Sequence, residues 1–445
     1  MRKTKSKLIY VLLIFLILVI AGAIFFYLEW EDPQIKLAED FEMIGRQKQI
    51  SITFTDLKSG IRNYQVSLVQ DDQEYTVTEA EFPQMGTFER TVDIDLVPQK
   101  LKVKDGEATF IVKVTDFSPL RNSAMIQKKV VIDSIPPKVS LVSTAHYVNP
   151  GGSCLAIYTA SDDVVLSGVR CADVLFPGNL TKLSDKPCYV CYFAIPMDVQ
   201  SSTSMSVVVQ DKAANESVVE IPFYVRKGKG FRNDTVRISE KFIDRKGAQF
   251  QSKDTSLAGK TPLEMFVYIN ETLRMANAQT IQSICLKSEG QNMWQGAFIR
   301  MKNAATMARF GDKRSYTFQG QKIGGSIHLG IDLASTQRAP IQAANSGIVL
   351  FADNLGIYGN TVIIDHGQGI ASLYAHLNTI KIEKGQHIDK GEIIGNSGAT
   401  GFAGGDHLHF SMLVNGVFVD PIEWWDPHWI HDNVELKLDQ ARQAL

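Results

Sequence analysis

The stretch GGDHLHF, from Gly404 to Phe410, places two histidines one residue apart behind a glycine-rich segment. Because side chains alternate along a strand, His407 and His409 are predicted to share one face, with Leu408 and Phe410 on the other. Two imidazoles in a small space favour a metal site or a proton-transfer site. The same pair also occurs on solvated strand faces, so the interpretation depends on the rest of the chain.

The other histidines add weight to a C-terminal site. The chain has 9 histidines in 445 residues, and eight of them lie between His328 and His431. A catalytic zinc typically keeps three imidazole or carboxylate ligands and one open position for water. His328, Asp332 and one histidine of the 407/409 pair meet that count. His376 and the other histidine of the pair then remain for proton transfer and charge stabilisation.

Several ordered motifs carry a resemblance to a known family. The region from about Trp294 to Trp425 resembles the lysostaphin/LytM-type zinc metalloendopeptidases, which cut peptide bridges in bacterial peptidoglycan. The matching pieces, in chain order, are FGDKRSY, HLGID, YGNTVIIDHG, LYAHL, KGQHIDKGEIIG and SGATGFAGGDHLHF.

The resemblance implies a role for each candidate residue. It makes His328, Asp332 and His409 the ligands of a Zn²⁺ ion, and His376 and His407 the catalytic histidines. It also implies a small antiparallel β domain with the metal in a groove across one sheet. Two departures from the family pattern leave every ligand in place: Asp406 stands where proline is usual, and TQRAPI follows HLGIDLAS.

The first 27 residues differ in composition from the rest of the chain. MRKTKSK supplies four positive charges, and Leu8 to Tyr27 follows with 20 uncharged residues. As a helix that run is about 30 Å long, the thickness of a bilayer core. The basic flank predicts a single-pass anchor in the cytoplasmic membrane, with the C-terminal bulk in the periplasm or extracytoplasmic space. The alternative is a signal peptide cleaved near Ala21-Gly22-Ala23.

Charge and cysteine content limit the partners. Without the four N-terminal charges, 42 basic and 48 acidic residues remain, a net charge of −6, so no nucleic-acid partner is expected. Five cysteines permit disulfides in an oxidising compartment and leave at least one unpaired. The five are Cys154, Cys171, Cys188, Cys191 and Cys285.

Short alternating runs between about residues 40 and 226, such as QISITFTDL and MSVVVQD, predict β-sandwiches. SGIR at Ser59–Arg62 recurs as SGVR at Ser167–Arg170, which indicates two copies of about 95 residues, the size of immunoglobulin-like modules. A spacer role is favoured over ligand binding.

A helical segment is predicted after a polar stretch. Thr261 to Glu264 forms a capping box, which predicts the start of a helix that runs to about Asn277. A second short helix is predicted over Thr280–Lys287.

The predicted fold class is mainly β. An N-terminal transmembrane helix is followed by two Ig-like β-sandwiches, a short helical segment and a small antiparallel β metallopeptidase domain. The predicted function is zinc-dependent hydrolysis of peptidoglycan cross-links, with peptidoglycan as partner and the membrane bound through the N-terminal helix. The alternative is a non-catalytic activator or scaffold for other wall hydrolases. The predicted boundaries are 1–28 anchor, 29–135 and 136–226 sandwiches, 227–293 linker and helical segment, 294–432 peptidase domain and 433–445 tail.

Overall fold

Residues 10, 12–20, 29–144, 146–161, 163–226, 228, 230–252 and 254–445 are described by the computed structural model. Strands dominate, as predicted. The chain divides into two units: Met1–Pro137 with Gln210–Glu216, and Lys138–Val209 with Ser217–Leu445. The predicted domain boundaries remain predictions.

The N-terminal segment requires a correction. Of the predicted transmembrane helix, Leu8–Tyr27, the structure describes Tyr10 and residues 12–20, which are helical, and the remainder lies outside the described residues. Within the described residues, no helix combines the length and apolar character needed to cross a membrane. The predicted fold class is therefore wrong in its transmembrane helix, and the predicted single-pass membrane location is wrong with it.

The first unit contains two sheets around one core. The strand orders are β1-β3-β6 and β2-β8-β7-β4-β5. Alternation along KQISITFT turns Ile50, Ile52 and Phe54 inward, where they join Leu68 and Phe110 from the other sheet. The elements are β1 (Gln34–Leu37), β2 (Met43–Ile44), β3 (Lys48–Thr55), β4 (Ile61–Gln70), β5 (Gln73–Glu81), β6 (Glu89–Leu96), α1 (Pro98–Leu101), β7 (Gly106–Asp116) and β8 (Ser123–Ile132).

A second pair of sheets begins the second unit. Their orders are β14-β15-β11-β9 and β13-β12-β16-β17, and β10 pairs in parallel with β18. The strands are β9 (Val139–Leu141), β10 (His146–Val148), β11 (Ser153–Ala160), β12 (Val164–Cys171), β13 (Val174–Pro177), β14 (Asn179–Lys182), β15 (Pro187–Ala194), β16 (Met205–Asp211), β17 (Glu216–Glu220) and β18 (Phe223–Val225).

The segment ahead of the metal-binding motifs is more ordered than its polar sequence predicts. A strand, β19 (Asn233–Arg237), pairs in parallel with β21, and a helix, α2 (Glu240–Gln251), follows it. The capping box at Thr261 forms as predicted, with Glu264 accepting from the Thr261 N–H. The two predicted helices are joined into one: α3 (Pro262–Tyr268), a π-helical turn (Ile269–Leu273) and α4 (Arg274–Cys285).

The C-terminal region is built on a sheet of order β20-β23-β31-β27-β26-β25-β29, in which β32 also pairs with β31. Its elements are β20 (Ala305–Ala308), β21 (Lys313–Phe318), β22 (Gln321–Ile327), β23 (Ile331–Ala334), β24 (Pro340–Gln342), β25 (Gly347–Asn354), β26 (Asn360–Gly367), β27 (Ile370–Leu377), β28 (Thr379–Ile380), β29 (His387–Ile388), β30 (Ile393–Asn396), β31 (Leu408–Val414), β32 (Val417–Val419), α5 (Pro421–Trp425), α6 (Pro427–Ile430) and α7 (Leu436–Ala444).

The central strands of this sheet are buried on both faces. Every residue of β27 and of β31 is buried. Leu373 and Leu413 share a core with α4, whereas Tyr374 and Met412 share a core with the second pair of sheets. The sheet is therefore covered by the helical segment on one side and by the preceding strands on the other.

The cysteines do not form the disulfides that the sequence permits. All five are free and buried, and all lie in the described part of the chain. Cys188 and Cys191 both lie in β15, as expected for structural residues rather than a metal knuckle. Burial raises the pKa of the Cys191 and Cys285 thiols to about 12.

Candidate metal centre

Three side chains predicted as ligands bring one donor atom each to a common point. His328 Nε2 lies 3.0 Å from Asp332 Oδ1 and 3.0 Å from His409 Nδ1, and His409 Nδ1 lies 2.9 Å from Asp332 Oδ1. The three atoms form a nearly equilateral triangle. His328 and His409 are buried, with 6% of each exposed.

The strand pairing explains this convergence. Asp332 on β23 stands opposite His409 on β31, and Ala375 on β27 stands opposite His409 on its other side. His328 begins the short loop between β22 and β23 and approaches Asp332 from four residues away. The absence of a side chain at Gly330 permits this approach. A Cβ at this position would lie 2.6 Å from the Phe410 carbonyl oxygen and 2.7 Å from His409 Cε1.

Hydrogen bonds on the far side of each ring fix the imidazole tautomers. His328 Nδ1–H donates to the Arg309 carbonyl at 3.0 Å, which leaves the Nε2 lone pair for the centre. The Ser411 hydroxyl donates to the Leu329 carbonyl, so His409 Nε2–H must donate to Ser411 Oγ at 3.1 Å. The lone pair of His409 Nδ1 therefore faces that of His328 Nε2.

This donor set fits a zinc ion. Two imidazole lone pairs and a carboxylate oxygen about 3 Å apart repel one another unless a cation lies between them. The centre of a triangle of that size is about 1.7 Å from each corner, close to the usual zinc bond length of about 2.0–2.1 Å, so these three residues would suit a zinc ion as its protein ligands.

His376 reaches the same face of the sheet through unusual backbone geometry. Two residues earlier, Tyr374 points into the opposite core, so regular alternation would turn His376 there too. Its φ of 62° and an irregular register between β26 and β27 redirect it. The ring lies 5.8 Å from that of His409 and 4.9 Å from that of His407, between centroids.

The two remaining histidines have different charge environments. Burial lowers the pKa of His376 well below its ordinary value, and the nearby His407 and His409 rings lower it further. For His407, burial lowers the pKa, but the hydrogen bond and charge of Asp332 outweigh it, so the pKa is raised. His376 Nδ1–H donates to the Thr400 carbonyl, and His407 Nδ1–H donates to the Gly405 carbonyl. Among the described residues, His376 Nε2 has no hydrogen-bond partner, whereas His407 Nε2 faces Asp332 Oδ1 at 3.5 Å.

The carboxylate at the centre is held ionised. Burial raises the pKa of Asp332, but the surrounding imidazoles of His328, His407 and His409 overcome this and leave it well below its usual range. Arg314 Nη2 also contacts Asp332 Oδ2 at 3.2 Å. The sequence analysis did not select Arg314, although it belongs to the FGDKRSY motif, because the motif alone does not show that β21 passes beside the centre.

The centre opens into a cavity of about 530 Å³. One wall comes from β19 and α2, including Arg237 and Phe242, and another from α4 with Arg274. Arg237, Arg274 and Arg314 bring positive charge to the cavity, beside the carboxylates of Asp234 and Asp332. Residues 227–293 were predicted as a linker and helical segment, because a polar stretch of this kind is also typical of solvated linkers.

The other histidines and Asp406 lie apart from the donor triangle. His366 is fully buried, with Nδ1–H donating to the Ser346 carbonyl, and has a structural role rather than the alternative surface one. His387 and His428 are exposed. Asp406 lies in the loop before β31 and accepts from the Ser397 hydroxyl and the Arg338 N–H.

Comparison with known proteins places the centre in a recognised domain. Residues 326–421 match peptidase family M23. That range contains all five predicted site residues. The rest of the chain lies outside the match.

Two curated relatives match this part of the chain. One is the DD-carboxypeptidase/endopeptidase Mpg of Neisseria meningitidis, 41% identical over 22% of this chain and 22% of the relative. The other is the peptidoglycan DD-endopeptidase ShyA of Vibrio cholerae, 38% identical over 20% of this chain and 21% of the relative. The chain therefore spans about a fifth of the length of these relatives.

Among solved structures, the catalytic domain of lysostaphin from Staphylococcus simulans is 28% identical. The alignment covers 28% of this chain and 92% of that domain, with a TM-score of 0.24.

Proposed function

We propose that this protein, which carries an M23 peptidase domain at residues 326–421, is a zinc-dependent endopeptidase that hydrolyses peptide cross-links of bacterial peptidoglycan. The observation that carries the proposal is the triangle of donor atoms from His328, Asp332 and His409. Their lone pairs are held toward one point by hydrogen bonds on the opposite side of each imidazole.

In this proposal His328 Nε2, Asp332 Oδ1 and His409 Nδ1 hold the zinc ion. When bound, zinc supplies Lewis acidity that polarises the scissile carbonyl and lowers the pKa of a water molecule. Ser411 and the Arg309 carbonyl orient the two imidazoles, and such partners typically affect metal affinity by about 10–100-fold.

His376 and His407 perform the proton transfers. His376 is kept neutral by burial, and its Nε2 is free to accept a proton from the attacking water. His407 is the more easily protonated of the two, so its Nε2 suits donation to the developing oxyanion or the leaving amine. Opposite shifts in pKa for two neighbouring groups are typical of an acid and base pair.

The substrate is proposed to bind along the cavity. Arg237, Arg274 and Arg314 line it and provide donors for peptide carboxylates. Both curated relatives named above are DD-endopeptidases, which supports a D,D-peptide cross-link over a glycine bridge as the bond that is cut.

The sandwiches are proposed to be immunoglobulin-like modules that position the peptidase domain. In the first unit the order β2-β8-β7-β4-β5 opposite β1-β3-β6 corresponds to the strand arrangement of Ig-type sandwiches. Its size and the repeated SGIR and SGVR motifs also support this proposal.

The test measures zinc content and hydrolysis together. Purified full-length protein is expected to contain one zinc ion per chain and to release cross-link fragments from purified peptidoglycan, identified by mass spectrometry. Replacing the exposed His387 by alanine controls for loss of a histidine and should change neither result. Zinc binding without product would favour the alternative of a non-catalytic activator, and absence of both would contradict the proposal.

A further inference from the structure

Three buried carboxylates converge at one end of the first sandwich, outside the peptidase domain. Glu29 precedes β1, Asp56 follows β3, and Asp116 is the last residue of β7. They are 5%, 5% and 0% exposed. One oxygen from each lies within 4.8 Å of one oxygen from each of the others. Three acids from distant parts of the sequence therefore share one small interior space.

The hydrogen bonds around this cluster leave an oxygen without a partner. Asp56 Oδ1 accepts from the N–H groups of Lys58, Ser59 and Gly60. Asp116 Oδ1 accepts from the Ser118 N–H and hydroxyl. The buried Glu29 Oε2, in contrast, has no hydrogen-bond partner among the residues that the structure describes. A buried carboxylate oxygen normally has one, so this atom indicates a missing ligand.

In the part of the chain that the structure describes, no salt bridge balances the charge of the cluster. Among the ion pairs of the described residues, none includes Glu29, Asp56 or Asp116. The nearest amide, Asn122 Nδ2, is neutral and donates to Asp116 Oδ2 and to the Glu29 backbone carbonyl. Three like charges in a buried space repel strongly unless a cation or protons neutralise them.

We propose that Glu29, Asp56 and Asp116 bind a calcium ion. All the donors are oxygens, which hard cations prefer and which disfavour zinc. Ligands around one calcium ion at 2.3–2.6 Å lie up to about 5 Å apart, as these oxygens do. Magnesium usually keeps several waters in an octahedral shell, and a site this buried has little room for them.

The site joins three parts of the first unit. Asp56 belongs to the sheet of β1, β3 and β6, and Asp116 to the sheet that contains β7. Glu29 belongs to the segment that leads into β1. Calcium therefore fixes the start of the sandwich to both of its sheets, and its removal is expected to loosen that end.

The test uses the full-length, zinc-loaded protein after treatment with a calcium chelator. Terbium serves as a luminescent calcium substitute, because Trp30 directly follows Glu29 and can sensitise its emission at a Cα separation of about 3.8 Å. We expect sensitised emission that calcium competes away and that equal magnesium does not. Trp30→Phe should lose the emission and keep the calorimetric heat of calcium binding, since Trp30 is exposed.

Charge-neutral variants distinguish this site from non-specific binding. Glu29→Gln should weaken calcium binding by about tenfold or more, since it removes one of three charged ligands. In the absence of calcium, Glu29→Gln should melt at a higher temperature than the unaltered protein, because the substitution relieves repulsion between the carboxylates. Added calcium should raise the melting temperature of the unaltered protein and leave that of Glu29→Gln unchanged. The matched control Glu31→Gln removes a charge from an exposed side chain two residues away and should leave binding intact.

The proposal is overturned if the unaltered protein binds no calcium up to about 10⁻² M, tenfold above the weakest class of protein calcium sites. Equal loss of binding in Glu29→Gln and Glu31→Gln would also overturn it. Competition by magnesium as strong as that by calcium would contradict the choice of ion.

Discussion

The carboxylate of Glu423 accepts a hydrogen bond from the backbone N–H of Ser153 at 2.7 Å, across 270 residues of sequence. Asn149 donates to the other carboxylate oxygen, also at 2.7 Å. The two contacts join α5, which follows the peptidase strands, to the first residue of β11 and to the loop before it. Burial raises the pKa of Glu423 to about 8, against an ordinary value of 4.5. This junction between strand layers therefore carries a titratable group in the neutral pH range.

Because of Glu423, the free energy of unfolding is expected to decrease as the pH rises. Between pH 4.5 and about 8 the folded protein keeps a proton on Glu423 that the unfolded chain has released. The free energy of unfolding therefore decreases as pH rises across that window, by up to about 1.4 kcal/mol per pH unit. Urea unfolding at several pH values should show that Glu423→Gln removes this slope, while Glu383→Gln, at an exposed position, keeps it. An unchanged slope in Glu423→Gln would contradict the assignment.

The two histidine roles are expected to separate in metal content. Alanine at His328, Asp332 or His409 removes one of three proposed donors, so both zinc and hydrolysis should be lost. Alanine at His376 leaves the donors in place, and turnover should fall about 10²–10⁴-fold with zinc retained. Zinc stoichiometry by mass spectrometry, measured beside peptidoglycan turnover, checks both expectations. Loss of zinc in His376→Ala would make that residue a ligand or a support of the ligands.

His407 is expected to resemble His376 in this experiment. His407→Ala should retain zinc and lose turnover, and the double variant with His376→Ala should lose less than the sum of the two effects if they share a proton transfer. Retention of zinc in His409→Ala together with its loss in His407→Ala would reverse the assignment within GGDHLHF.

Gly330 is expected to be intolerant of a single methyl group. A Cβ at this position would lie 2.6 Å from the Phe410 carbonyl and 2.6 Å from Ser411 Oγ, and Ser411 orients His409. Gly330→Ala should therefore lower zinc affinity by about tenfold or more. Gly404→Ala is the matched control, because a Cβ at Gly404 meets no atom within 4 Å. Equal zinc affinity in the two variants, measured by competition with a chelator, would refute the packing argument.

The second pair of sheets is expected to be required for a stable peptidase domain. A fragment from Lys138 to Leu445 keeps the contacts of Tyr192 with Trp294 and Trp424, whereas one from Thr261 to Leu445 loses them. Each large apolar side chain that loses its cover costs about 1.5–3 kcal/mol. Thermal unfolding should therefore show a cooperative transition for the longer fragment and a lower one, or none, for the shorter. Similar melting temperatures would contradict this expectation.

The sequence predicted the five candidate site residues because motif order and strand alternation are local properties. Alternation correctly placed Leu408 and Phe410 opposite His409. It could not place His376, whose backbone has a positive φ next to a register shift that depends on the neighbouring strand. The contact of Arg314 with Asp332 and that of Glu423 with Ser153 could not be predicted from the sequence either, because both depend on how distant segments pack together.

The predicted helices also show that local signals are predictable from sequence, whereas features that depend on distant contacts are not. Thr261 and Glu264 specify a helix start through bonds within one turn, and that start was predicted correctly. The break predicted between Asn277 and Thr280 lies inside α4, which is continuous there. The π-helical turn Ile269–Leu273, where Asn270 is buried and donates to the Gly325 carbonyl, falls within the first predicted helix, and its sequence did not reveal it.

The five buried thiols give the protein a set of internal reporters. A thiol-specific reagent can reach Cys154 or Cys191 only when the strands that cover them separate, and can reach Cys285 only when the end of α4 moves from the sheet. The rate of labelling at each cysteine therefore measures how often its own layer opens under native conditions. Resolving the labelled peptides would show whether the layer that carries Cys285, on the side of the proposed zinc site, opens independently of the layer behind it.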